Sequence, residues 1–247
     1  VSSWWKLAVG FTFLAAATVV HAVVLIVLLP SRNARIRSCN YWGWVVGRVC
    51  LAISGCGLTI RGAEHLAGER PVIFVSNHTS IIDILLGIWQ APVGTVGVAK
   101  KEIVWFPFFG QLYALSGHLR VDRGDHARAV EAMADLERIV EQHRLSIWMW
   151  PEGTRSQDGR LRPFKKGLYH LAVGTGLPIV PVIVSGAHRS WEKGSRRVVG
   201  VPVEVVALPP IDTSGWASRS AEDCLAEVHG LFVAQLPADQ RPVPAAA

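Results

Sequence analysis

No two cysteines in this 247-residue chain are spaced C-x-x-C, although four are present: Cys39, Cys50, Cys56 and Cys224. That removes the usual sequence support for a structural zinc site or a dithiol redox centre. Zinc-finger spacing, an RNP-like run and long Lys/Arg blocks are also missing, which argues against nucleic acid as a partner. There is no G-x-S-x-G elbow, so a serine acyl-enzyme has no sequence support. No internal repeat is visible. Formal charge is absent from residues 7–29, LAVGFTFLAAATVVHAVVLIVLL.

What is present is apolar and basic. Half of the residues are hydrophobic and the net charge is +6. The length suffices for one large domain with a real core, with or without a small appendage. A basic surplus suits anionic lipid or phosphorylated substrates, and the high hydropathy favours lipid. Three of the cysteines lie in the apolar N-terminal region, where Cys behaves as a small hydrophobe. The catalytic face is then expected in a reducing, cytosolic setting.

As a helix, residues 7–29 would be about 34 Å long, enough for a hydrocarbon layer of ~30 Å. The run is long for a signal-peptide core, and no small-residue cleavage site follows it. Lys6 precedes it and Arg32, Arg35 and Arg37 follow, so the positive-inside rule places the bulk of the chain in the cytoplasm. A second apolar stretch, residues 41–58, carries Arg48 near its centre and Trp42 and Trp44 near its start. That pattern predicts a short re-entrant or interfacial helix with Arg48 reaching to head groups. Residues 1–59 thus read as a membrane anchor of two helices, and residues 237–247 as a disordered tail.

Between them, residues 60–236 alternate strand-like and helical runs. The strand candidates are VIFVS, TVGVA, HLRVD, LSIWMW, IVPVIV and VEVVAL. The helix candidates are 80–90, 101–115, 125–143, 167–175 and about 219–236. Asp125 is a candidate N-cap for the third, with Val130, Met133, Leu136, Ile139 and Val140 on one stripe. Such alternation predicts an α/β domain with a mixed, largely parallel sheet flanked by helices.

Three polar motifs follow predicted strands. In "SNHTSIIDILLG", residues 76–87, Ser80 and Asp83 match a capping box. The same residues admit a catalytic reading, with His78 as base and Asp83 as its orienting carboxylate. Residues five apart in one helix lie roughly 140° apart, so the pair can meet only if His78 stands in a turn before the helix. "GHLRVDRGD", residues 117–125, offers Arg120 and Arg123. "WPEGTRSQDGRLRPFKKG", residues 150–167, offers Glu152, Gly153, Thr154 and Arg155 in a tight turn, with further cations beyond. Ligands of open α/β sheets bind beyond the carboxyl ends of strands, so the three motifs are expected to gather on one sheet edge.

Over about residues 60–210 the chain resembles the PlsC-type glycerolipid acyltransferases. The resemblance rests on Asn77-His78-TSII-Asp83, on Gly117-HLRVD-Arg123, on the intact PEGTRS of Pro151–Ser156, on Pro181 in an apolar strand, and on the stretch VAKKEIVWFPFFG. Arg120 stands where many members have an apolar residue. The resemblance implies transfer of a fatty acyl group from acyl-CoA or acyl carrier protein to the 2-hydroxyl of lysophosphatidate. His78 would be the general base and Asp83 its partner. Lys100, Arg123, Glu152, Gly153, Thr154 and Arg155 would hold the glycerol phosphate. It implies no metal or redox cofactor, a lysolipid and anionic head groups as partners, and a place on the cytoplasmic face of a bacterial inner membrane. The alternatives are acylation of another lysolipid, such as lyso-ornithine lipid, and a basic membrane-surface protein without turnover.

Overall fold

The computed structural model describes residues 4–243 except Glu69, Arg70, Arg123 and Lys193, and except the side chains of His126, Ala127, Ala129 and Val130. Seven strands form one sheet in the order β1-β7-β6-β2-β5-β3-β4. They are β1 (Gly57–Arg61), β2 (Ile73–Ser76), β3 (Thr95–Lys100), β4 (Leu119–Val121), β5 (Ser146–Met149), β6 (Ile179–Ser185) and β7 (Pro202–Ala207). β6, β2, β5, β3 and β4 run parallel, and β7 pairs antiparallel with β6. β2 and β5 are buried at every position, as strands covered on both faces are. The carboxyl ends of the five parallel strands therefore share one edge, and β2 and β5 deliver their following turns to its middle.

All six predicted strands are present. β1 is a seventh that the sequence pattern hid, because its alternation is half exposed and it abuts an apolar run. It pairs with β7 from Gly57 to Arg61, so the boundary drawn at residue 60 falls inside a strand. Pro181 sits within β6, where its carbonyl accepts from the N–H of Leu208. The β7 ladder ends at Ala207, so the donor that proline lacks falls just past the end of that ladder, opposite Leu208.

The helices are α1 (Trp4–Val27), α2 (Arg32–Ser54), α3 (Ala63–Ala67), α4 (Ile82–Gln90), α5 (Phe109–Leu115), α6 (His126–His143), α7 (Gly167–Thr175), α8 (Ala187–Ser190) and α9 (Ala221–Gln235). The helix expected over 101–115 is broken at Pro107: a 3-10 turn, Lys101–Trp105, precedes it, and Phe108 takes a φ of 64° before α5 begins. Asp125 caps α6 by accepting from the N–H of Arg128; Met133, Leu136 and Val140 pack into the main core, and Ile139 is buried beside them on the same stripe. The side chain of Val130 lies outside the described residues.

The second N-terminal helix differs most from expectation. α2 is not a short interfacial segment; it runs 23 residues from a Ser31 cap to Gly55 in the left-handed conformation. It lies along α4 at backbone distance. A Cβ on Gly43 would stand 2.8 Å from the Ile88 carbonyl oxygen, and one on Gly47 would stand 2.6 Å from that of Leu85. Asn40, buried, accepts from the N–H groups of Gly94 and Thr95 and donates to the Thr95 carbonyl. Arg32 donates to the Gly117 carbonyl and pairs with Asp135, and Arg35 donates to the Leu115 carbonyl. These arginines therefore dock α2 on the α/β body. Arg48 is exposed over the Trp44 ring.

α1 folds back on α2. Lys6 Nζ donates to the Ser54 carbonyl, and Trp42 Nε1 donates to that of Ala17. Of the described helices, α1 alone is long and apolar enough to cross a membrane. Most of its apolar residues are uncovered, Val20 at 71% and Val27 at 74% among them. Exposed Trp105, Phe106 and Phe108 extend that surface, and Phe108 packs edge-on against Phe11.

The tail expected to be disordered is docked as far as it is described. Gln240 is buried, accepts from the N–H of Gly186 through Oε1 and from that of Leu161 through its carbonyl. Arg241 and Asp239 bond to Leu236 and Arg189. Backbone groups of neighbouring loops recruit these polar residues, which composition alone cannot foresee. Residues 244–247 lie outside the described residues.

The α2–α4 contact yields a test. Gly47→Ala improves helix propensity by about 1 kcal/mol but drives a methyl into backbone, at an overpacking cost of about 1–3 kcal/mol. It is expected to lower the thermal midpoint in detergent. Gly230→Ala in α9, where nothing lies within 4 Å of the new Cβ, is expected to raise it. Equal gains from both would contradict the contact.

Candidate active site

The turn after β2 starts from a buried clamp. Asn77 Nδ2 donates to the Val184 carbonyl and its Oδ1 accepts from the Val184 N–H, both at 2.8 Å. This two-bond bracket ties the end of β2 to β6 and fixes where the chain leaves the sheet. His78 follows outside the helix, its backbone held on both sides. Its N–H donates to Glu152 Oε1 at 2.5 Å, and its carbonyl accepts from the N–H of Ser156 at 2.9 Å.

α4 begins at Ile82, so Asp83 occupies its first turn. Asp83 Oδ2 accepts from the N–H groups of Thr79 and Ser80, the latter at 2.7 Å. The same oxygen lies 3.4 Å from Nδ1 of His78. Capping and pairing are thus one arrangement: the carboxylate that closes the helix start also faces the imidazole. The Asp83 side chain is fully buried and that of His78 is 13% exposed. At 3.4 Å the contact is long for a hydrogen bond, as catalytic contacts often are before substrate binds. Ser80 Oγ donates to the Trp191 carbonyl and accepts from the N–H of Ile82.

Beyond β5, Trp150 stacks on the His78 ring, with centroids 4.9 Å apart and planes 26° apart. Glu152 is buried beneath the turn, and its second oxygen accepts from the N–H of Arg162. Burial pushes its carboxyl up to about 8, against the pull of the two N–H donors; the negative charge of Asp83 adds to the rise. Gly153 takes a φ of 75° and its N–H donates to the Trp150 carbonyl, turning the chain back toward His78.

His78 opens into a cavity of about 1020 Å³ between the sheet edge and the N-terminal helices. Lys100, Gly153, Thr154 and Arg155 line it with His78, and Phe11, Leu14, Ile53, Leu85 and Leu112 form much of its apolar wall. Six of the eight residues singled out from sequence therefore meet, His78 and Asp83 in contact and four around one cavity. Glu152 does not line it; it braces the backbone from below. Arg123 lies outside the described residues. The sequence reasoning missed Asn77 as a clamp and Trp150 as a ring partner. The only signal for the second was an aromatic residue standing directly before the PEGTRS turn.

A neutral imidazole facing a buried carboxylate on one nitrogen can take a proton at the other, and lysine and arginine nearby can hold an anionic group. Comparison with known proteins gives this arrangement a context. A family model described as Acyltransferase matches residues 57–185. The 1-acyl-sn-glycerol-3-phosphate acyltransferase of Limnanthes douglasii is 44% identical over 241 residues, 98% of this chain and 85% of that relative. The protein of the same name from Escherichia coli (strain K12) is 33% identical over 230 residues, 90% of this chain and 91% of the relative. The crystal structure of the 1-acyl-sn-glycerophosphate (LPA) acyltransferase, PlsC, from Thermotoga maritima shares the fold at a TM-score of 0.68 and 24% identity, covering 90% of this chain and 92% of that one.

Glu152 sets a pH dependence. Its folded value is raised, so the folded chain keeps a proton that the unfolded chain releases near 4.5. The group's contribution is full below about pH 4.5, is lost as pH rises toward 8, and is flat above. Relative to Glu152→Gln, the wild-type chain is expected to lose up to about 1.4 kcal/mol of stability per pH unit across that window. Denaturation of both in detergent at pH 5.5, 7 and 8.5 checks it. Parallel stability profiles would contradict the buried, protonated carboxyl.

Proposed function

Since the chain belongs to the acyltransferase family, we propose that it moves a fatty acyl group from a thioester to the 2-hydroxyl of lysophosphatidate, giving phosphatidate. The observation that carries this reading is the single cavity: a His–Asp pair and cations at its polar end, and an apolar volume beyond. At about 1020 Å³ it lies at the upper end of ligand pockets, roughly 300–1,000 Å³, as a long acyl chain requires.

The acceptor hydroxyl gives its proton to His78 as its oxygen attacks the thioester carbonyl. Asp83 holds Nδ1–H in place and stabilises the imidazolium that forms. The tetrahedral centre collapses with cleavage of the C–S bond. The thiolate leaves and recovers the proton from the imidazolium, so the histidine returns to its starting form. The thioester is already activated, and the bonds and protons balance with no metal or redox group. Lys100 and Arg155, with Arg123 from the sequence motif, supply the charge that a phosphate needs when it leaves water. Glu152 and Gly153 shape the turn that brings Arg155 to the cavity. The donor is an acyl thioester of CoA or of acyl carrier protein, which present the same reacting group.

The acceptor sits in a membrane leaflet, so the cavity must be held there. We place the uncovered apolar face of α1, with Trp44 and Trp105, against the cytoplasmic leaflet. α2 lies across the α/β body throughout its length, which keeps α1 beside the body instead of projecting clear of it.

Purified protein in detergent, given palmitoyl-CoA and 1-acyl lysophosphatidate, is expected to release one thiol per phosphatidate formed. His78→Ala, checked for an unchanged thermal midpoint, is expected to lose about 10²–10⁴-fold in rate. A folded His78→Ala with near-normal turnover would overturn the base assignment. Turnover with lyso-ornithine lipid but not lysophosphatidate would move the acceptor, and no thiol release with either acceptor, from palmitoyl-CoA or from palmitoyl-acyl carrier protein, would leave a binding protein.

A further inference from the structure

The backbone of His78 is clamped, but among the described residues nothing holds its ring by a hydrogen bond. Nδ1 makes none, and it faces Asp83 Oδ2 at 3.4 Å. A histidine side chain has two free torsions, and a contact this long does not fix them. The base must nonetheless present one nitrogen to Asp83 and the other edge to the cavity. Some other group therefore sets the plane of the ring.

We infer that Trp150 is a positioning residue for the reaction, its indole holding the face of the His78 ring so that Nδ1 stays on Asp83. The ring centroids are 4.9 Å apart with planes inclined by 26°, an offset stack of the kind aromatic pairs favour. Trp150 is itself immobilised. It directly follows β5, and its carbonyl takes the N–H of Gly153. Its indole edge lies against Gly87 so closely that a Cβ there would meet Cζ2 at 3.0 Å. Gly87 is four residues beyond Asp83, hence on the same face of α4, one turn along. One helix face thus supplies both sides of the grip: Asp83 addresses the ring edge, and the gap at Gly87 admits the indole that covers the ring face.

This inference rests on His78 acting as the base, and the test separates the two. Trp150→Phe keeps a ring to stack and Trp150→Leu removes it, both assayed beside wild type and His78→Ala with palmitoyl-CoA and lysophosphatidate. Trp150→Leu with an unchanged thermal midpoint is expected to lose at least about tenfold in kcat, with KM for both substrates within about twofold. Trp150→Phe is expected to recover to within about threefold of wild type. If Trp150→Leu does not fold, Trp150→Met carries the same comparison. A folded Leu or Met variant with kcat near wild type overturns the inference. So does a loss confined to KM, which would make Trp150 only a cavity wall, and so do equal losses in Phe and Leu.

A second readout does not need turnover. The ring-proton resonances of His78 are expected to carry an indole ring-current shift that is lost in Trp150→Leu and partly kept in Trp150→Phe. Absence of that shift in wild type overturns the stack whatever the activity. Wild-type inactivity, or an unaffected His78→Ala, would instead count against the base while leaving the stack to the spectra.

Discussion

Asp83 Oδ2 is approached by four groups: the N–H groups of Thr79 and Ser80 and, each at 3.4 Å, the Thr79 hydroxyl and Nδ1 of His78. A fully buried carboxylate is costly unless such partners surround it. Here the turn that leads into α4 provides them for Oδ2, and the helix dipole favours the same charge. The carboxylate therefore cannot be removed without loosening the helix start, and the helix start cannot shift without moving the imidazole. Choosing between cap and catalyst is unnecessary, because one oxygen serves both. The remaining scaffold converges on that turn: Asn77 ties it to β6, Glu152 holds its backbone from the β5 side, and Trp150 covers the imidazole.

α4 also couples the chemistry to the N-terminal helices. Asp83 and Gly87 face His78 and Trp150, while Leu85, Ile88 and Trp89 take α2 at backbone distance through Gly43 and Gly47. The cavity lies between these structures, and Leu7, Phe11, Leu14, Trp42 and Ile53 of α1 and α2 close an apolar wall that the α/β body mostly builds. The N-terminal helices are then part of the site. Arg32 and Arg35, which follow α1, join them to the body through Gly117, Asp135 and Leu115.

Much of this was legible in the sequence. The buried strands read as apolar runs, and helices with strong period or clear ends, such as Gly167–Thr175 before Gly176, were placed correctly. The motifs carried His78, Asp83, Lys100 and the Gly153–Arg155 turn to one sheet edge. What failed to show was tertiary in origin. β1 exists because β7 offers it an edge, and its alternation is too weak to announce it. The long α2 was masked because Arg32, Asn33, Arg35 and Arg37 break its apolar pattern, while Gly43 and Gly47, poor helix formers, are present for close packing. Glu152 looked like a phosphate ligand by its place in a motif, yet its oxygens are occupied by two backbone donors. The docked Gln240 depends on acceptors and donors far away in sequence.

The most direct test of the His78–Asp83 arrangement is the tautomer of the imidazole. Nitrogen-15 spectra of histidine-labelled protein in detergent, with His78 assigned by its loss in His78→Gln, report which ring nitrogen carries the proton. The proposed mechanism requires a protonated Nδ1 facing Asp83 and a bare Nε2 free to accept the substrate's proton, with that preference lost in Asp83→Ala. A proton on Nε2 in the wild-type protein, or a tautomer indifferent to Asp83, would contradict the account.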